Sequence, residues 1–188
     1  MPMEKPKSPV WSVPVSVDDI PDKGRHIEID ATPAVRADVR ALVAGLASVT
    51  DLPKLSATFD LTRRGSRVHV AGHVNARVTQ TCVVSLEPIE TEVSEAVDLV
   101  FVPVEPGEQQ PKTAVYDNNT VDSRDEFEPL VEGTVDLGAL ATEFLVLGVD
   151  PHPRKPGAEF PPFKVGDDET SAFAALAALK KRLGSGTP

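Results

Sequence analysis

Between Leu55 and Val102 apolar residues recur at every second position, and this period leaves few folds open. Val68, Val70, Val74, Ala76 and Val78 fall on one side, interrupted at Gly72, while His69, His73, Asn75 and Arg77 fall on the other. That is the period of a half-buried strand. Ahead of it, Leu55, Ala57, Phe59 and Leu61 alternate with Ser56, Thr58, Asp60 and Thr62, and Arg64-Gly65 supplies a turn residue free to take positive φ. After Glu87-Pro88, where proline removes a donor, Val93, Val97, Leu99 and Phe101 resume the alternation. Short connections make these three strands an antiparallel meander.

Flanking segments extend the pattern. Val13, Val15 and Val17 alternate around Pro14, which suits an edge strand, and His26–Asp30 reads as a short returning strand. Thr32-Pro33 then opens a helix to about Ala47, with Val35, Val39, Leu42, Val43 and Leu46 at three and four. From 103 to 128 seven acids stand against two bases among three prolines, which predicts an acidic mobile loop with room for a strand at Thr113–Tyr116. Leu130–Leu137 begins as a strand, and Asp136 caps a second helix whose apolar stripe is Leu137, Leu140, Ala141, Phe144, Leu145 and Leu147, ended by Gly148.

The fold class expected is therefore α+β: a mainly antiparallel sheet, a meander of about five to six strands, with two helices packed on it. Residues 1–149 form that domain. Residues 150–170 are a proline-rich extended linker in which Phe160-Pro161-Pro162-Phe163 offers a docking segment, and 171–183 form a C-terminal amphipathic helix. The helix carries acids at its start, Lys180-Lys181-Arg182 at its end, and a stripe through Phe173, Leu176, Leu179 and Leu183.

Charge bounds the function. With 19 Lys and Arg against 29 Asp and Glu the chain carries a net −10, the wrong sign for gripping nucleic acid through a general field. A basic protein is the better partner, with RNA touched only through a local patch; outside the C-terminal helix, the basic spot is His152, Arg154 and Lys155. No run of eighteen apolar residues and no apolar segment after the amino terminus is present, so a soluble cytoplasmic protein is expected. A single cysteine excludes an internal disulfide and a thiolate zinc cage.

Catalytic constellations are scarce. His69 and His73 lie on one strand face with Arg77 in the same row, and Asp60 or Thr62 on the neighbouring strand would complete a proton-transfer or anion site. Polar residues on the wet face of a sheet give the same pattern. Cys82 has no evident base nearby and suits a small apolar site, and the Asp117–Asp122 run lacks the glycine and distal glutamate of a calcium loop. No catalytic residue, metal or cofactor is assigned from the residues.

Three blocks carry a resemblance. Val70–Ile89, including Val70-Ala-Gly-His-Val-Asn-Ala-Arg-Val-Thr-Gln-Thr-Cys82; Val135–Ala158, including Leu147-Gly-Val-Asp-Pro-His-Pro-Arg-Lys-Pro-Gly157; and Ser171–Lys180 resemble, in this order and with an acidic loop between, the YceD family of bacterial and plastid proteins. The likeness runs from about Arg67 to Arg182. It implies a role in accumulation of large-subunit ribosomal RNA, without established catalytic residues, and the bacterial gene commonly neighbours one for a large-subunit ribosomal protein. Many members carry a Cys-x-x-Cys pair, whereas here Ser85 stands in the second position. The block's role in this chain is therefore expected to be structural.

The expected function is a non-enzymatic factor in large ribosomal subunit biogenesis that binds a ribosomal protein or large-subunit precursor; neither DNA nor a membrane is an expected partner. Contact is expected through His73 and Arg77, through His152, Arg154 and Lys155, or through Phe173 and Leu176. The alternatives are a dedicated chaperone of one basic ribosomal protein without RNA contact, and a small metal-dependent hydrolase built on histidines and carboxylates.

Overall fold

Pairing between β3 (Val49–Arg64) and β4 (Arg67–Thr81) forms the longest hairpin of the fold. The structure, a computed structural model, describes residues 9–103 and 127–160. The chain divides into two compact units, 1–158 and 159–188, and every described strand and helix belongs to the first. The expectations for a strand at Thr113–Tyr116, for docking through Phe163, and for the helix at 171–183 lie outside the described residues.

The hairpin turns at Gly65, whose φ of 64° belongs to the left-handed region that glycine enters without steric cost. Beyond β4 comes β5 (Pro88–Pro103), paired antiparallel from Thr81↔Pro88 to Val68↔Phe101. On the other edge β2 (Arg25–Asp30) pairs with β3. These four strands form the expected meander, with β3 beginning earlier than the sequence suggested. Register shifts between Val49 and Lys54 break the alternation there, which hides the strand from a period count.

Two departures concern the remaining strands. β6 (Phe127–Leu130) joins the sheet parallel to β5, so the order is β2-β3-β4-β5-β6 and not a pure meander. A parallel neighbour needs a crossover longer than a hairpin turn, and residues 104–126 supply the length. Of the acidic loop expected over 103–128, Pro103 closes β5 and Phe127 and Glu128 are strand residues, and the rest lies outside the described residues. The second departure is at the amino end. β1 (Pro14–Ser16) pairs only with β7 (Thr134–Asp136) in a separate two-stranded ribbon, where Pro14 has no central ladder to interrupt.

Both helices cover the apolar face of the large sheet, α1 (Pro33–Ala47) against β3 and α2 (Leu137–Gly148) against β5 and β4. Thr32 caps α1 by accepting from the Val35 N–H, with Pro33 at the first turn. Asp136 caps α2 through Oδ1, which accepts from the Gly138 and Ala139 N–H groups at 3.1 Å, and the same carboxylate holds the amino-terminal strand through Ser12 Oγ and the Val13 N–H. Gly138 brings α2 against the Trp11 backbone. The core is Phe59, Leu55, Leu61, Leu137, Leu145 and a run of valines. Gly72 interrupts the β4 stripe for a packing reason: it lies opposite Phe59, whose backbone and ring occupy the space a Cβ would need.

Several residues patterned as core are not covered. Leu147, placed in the buried stripe of α2 by its spacing, is 71% exposed, and Leu42 and Leu46 of α1 are 49% and 62% exposed. Gly148 ends α2 in ordinary geometry, Val149 being extended at φ −75°, and its missing Cβ leaves room for Val93 and Glu95.

Candidate partner-binding surfaces

The outer face of the large sheet collects the residues that alternate away from the core. Cross-strand register places Glu28, Thr58, His73 and Ala96 in one row, and Lys54, Arg77 and Glu92 in another. On this face six acids, Glu28, Asp30, Asp60, Glu90, Glu92 and Asp98, outnumber four bases, Lys54, Arg64, Arg67 and Arg77. His73 is exposed there. Arg77 is not a free base: its Nη2 donates to Glu92 Oε1 at 3.0 Å. Of the two residues the sequence offered, Thr62 lies opposite His69 and Asp60 opposite Ala71; the carboxylate beside His69 is Asp98 of β5, at 2.6 Å. Asp60 instead meets His26 Nδ1 at 2.7 Å. Asp60, with help from Glu28, raises the His26 pKa above 6.5 because both favour the imidazolium. Among the described residues no three His, Cys, Asp or Glu side chains gather as metal ligands.

The second surface is a knuckle between β4 and β5, stitched to the segment after α2. The turn closes through the Cys82 N–H to Glu87 O at 2.9 Å and the Leu86 N–H to Cys82 O at 3.0 Å, with Leu86 at φ 60°. Cys82 is buried, but its surroundings are not the apolar site expected. Its Sγ accepts from the Val84 and Ser85 N–H groups at 3.4 Å and from the Lys155 N–H at 3.3 Å. The Ser85 hydroxyl, then the Ser85 and Lys155 N–H groups, lower the thiol pKa from 9.0 to about 6 against the opposing effect of burial. These N–H groups favour the thiolate as donors without acting as a base, and backbone amides are invisible to side-chain pattern reading; Ser85 is the one side-chain contributor.

Residues 150–157 follow the surface, as expected for so many prolines, but they are pinned. The Val83 N–H donates to Pro153 O at 2.9 Å, and Lys155 Nζ donates to Glu87 Oε2 at 2.6 Å. Gln80, buried at the end of β4, donates from Nε2 to Ala47 O at 2.8 Å and to Asp150 O at 2.7 Å, joining the end of α1 to the start of this segment. Lys155 is therefore ion-paired, while Arg154 and His152 are exposed. Phe173 and Leu176 lie outside the described residues. Arg36 and Arg40, polar positions of α1 with no signal in the sequence pattern, line a hollow beside Asp51 and Pro53; their Nη1 atoms donate to Ala31 O and Thr50 O.

Residues 70–180, more than half of the chain, match the family described as large ribosomal RNA subunit accumulation protein YceD. The chain belongs to the YceD family. The matched region begins in β4 and takes in the knuckle, the parallel strand β6, α2 and the pinned segment, so the Gln80 and Cys82 stitches fall inside the YceD region. No curated protein and no solved structure matched the chain. Among the described residues no helix is long and apolar enough to cross a membrane.

Proposed function

We propose that this YceD-family chain is a non-enzymatic factor in large ribosomal subunit biogenesis, supporting accumulation of large-subunit ribosomal RNA by binding a basic ribosomal protein or a pre-ribosomal particle. The family match carries the reading. Surface charge supports the choice of partner: the outer sheet face is acid-rich, and two of the bases that would meet phosphates, Arg77 and Lys155, already hold carboxylates. The same pairing favours a second reading, a dedicated chaperone of a basic ribosomal protein that never touches RNA.

Sucrose-gradient sedimentation of lysate carrying the tagged chain, with large-subunit RNA measured in a deletion strain, tests the proposal. Co-migration with a large-subunit precursor and loss of that RNA on deletion are expected. A protein that stays at the top of the gradient, with RNA unchanged, overturns assembly. Pull-down with and without RNase at two salt concentrations separates the readings: capture of a basic protein that survives RNase selects the chaperone.

A further inference from the structure

The outer side of α2 is the surface that the fold leaves least accounted for. This helix is apolar almost all round, a composition that belongs to a buried element, yet Val146 is half-buried and Leu147 exposed. Two hollows flank the helix and share Ala139 and Glu143. One, of about 440 Å³, lies between α1 and α2 and is lined by Val10, Leu42, Thr142 and Val146. The other, of about 370 Å³, is floored by Leu99, Phe101, Val131, Phe144 and Leu147. Of the eight exposed large apolar residues described, Val10, Leu42, Val131 and Leu147 line these hollows and Leu46 stands one turn from Leu42. Apolar residues scattered singly need no explanation, but a cluster across two elements marks a docking surface.

The charge around the cluster names the occupant. Glu143 stands between the hollows and Asp136 lines the second, and among the described residues neither hollow is lined by a Lys or Arg. An apolar floor with acids along its rim repels an acidic ligand and rewards one with basic flanks. The elongated site on two sides of a helix ridge suits a helix presenting apolar residues at three- and four-residue spacing. We infer that the α2 ridge and its flanking hollows are the docking surface for an amphipathic helix with Lys- or Arg-rich flanks on a basic partner protein. This rests on the proposed function, and it specifies where and by what chemistry the partner is held.

The probe is a synthetic amphipathic helical peptide, Leu at i, i+3, i+4 and i+7 with Lys flanks, titrated by fluorescence anisotropy against the full chain. Saturable binding is expected, weakened at least tenfold by Leu147→Asp and by Glu143→Lys, unaffected by Leu86→Asp on the knuckle, and at least tenfold weaker for a Glu-flanked peptide. Both α2 positions are exposed, so the variants should keep wild-type circular dichroism. Equal binding by the two peptides, or by wild type and Leu147→Asp, overturns the inference. Stronger binding to the full-chain double variant Phe173→Asp/Leu176→Asp overturns it too, by showing that the chain's own carboxyl-terminal stripe fills the site. Gradient sedimentation of Leu147→Asp separates this from the parent reading: a variant that still co-migrates sinks the docking surface and leaves assembly standing, whereas a wild type that never co-migrates sinks assembly.

Discussion

Gln80 offers the sharpest test of how the YceD region is held. Its two neighbours, Ala47 O and Asp150 O, are both acceptors, so the amide nitrogen must face them, and the buried Oε1 is left without a partner. Gln80→Glu keeps the shape and replaces both donors by an acceptor. At neutral pH it buries a carboxylate against two carbonyls, a cost of about 3–5 kcal/mol for an uncompensated buried charge. Gln80→Leu should cost less, about 1–3 kcal/mol, because it strands the same two carbonyls but also removes the orphaned oxygen. Urea unfolding followed by Trp11, the only tryptophan and a buried one, reports both. With a urea slope near 2 kcal/mol per M, Gln80→Glu should lower the midpoint by about 2 M. Burial raises the new carboxyl above its unfolded value of about 4.3, so its penalty is full above the folded pKa and fades as pH falls toward 4. There the protonated acid can donate to one carbonyl. A gap below about 1 kcal/mol at pH 7, or one that does not narrow on acidification, would refute this account of the stitch.

Gly72→Ala should cost about 2–3 kcal/mol, because the new methyl meets the Thr58 carbonyl and Phe59 and the strand must shift; a urea midpoint within about 0.3 M of wild type, roughly 0.6 kcal/mol at the same slope, would count against it. Thiolate absorbance near 240 nm should titrate Cys82 around pH 6, and Ser85→Ala should move that midpoint upward, since the Ser85 hydroxyl is the leading cause. Because the folded pKa is depressed, Cys82's contribution is complete above its unfolded value and is lost as pH falls through about 6, so Cys82→Ala should flatten that part of the stability profile. His26 should titrate above 6.5 by NMR and return toward that value in Asp60→Asn. The stability it adds is fully present below the unfolded pKa and disappears as pH rises through the folded one, so Asp60→Asn should be silent at about pH 8.5.

The hairpin, both helices and their caps were legible because they rest on local periods and capping chemistry: Thr32, Asp136 and the alternation on β4 need no partner to be recognised. What escaped was set by tertiary neighbours. β6 reads as an acidic-loop remnant because its four residues contain Pro129, and only pairing with Val100–Pro103 makes them a strand. The helical spacing of Leu42, Leu46 and Leu147 indicated their face but not whether anything covers it. His73, Arg77, Arg154 and Lys155 were found as polar residues on the right surfaces, but Glu92 of β5 and Glu87 of the knuckle, which engage two of them, are distant in sequence. Apart from the Ser85 hydroxyl, the Cys82 environment is made of amide groups that every residue carries, so little in the side-chain pattern announces it.

Those carboxylates also decide how the surface should respond to RNA. Arg77–Glu92 and Lys155–Glu87 are solvent-exposed pairs that add little to stability, so breaking them should leave the fold intact. Their larger effect is on what the surface offers to phosphates. The double variant Glu87→Gln/Glu92→Gln frees both cations without adding charge of its own. If masking by these pairs keeps the wild type from RNA, the variant's affinity for single-stranded RNA should rise, and its log–log salt slope should steepen by about 1.4, the value for two added phosphate contacts. Its affinity for a basic protein should fall, since two carboxylates have gone. The measurement is a titration of labelled RNA at four salt concentrations with the wild type and the variant side by side. An unchanged slope would mean that neither cation meets phosphate, and a wild type already showing the steep slope would mean that the pairs open on RNA, which would rule out the chaperone reading without RNA contact.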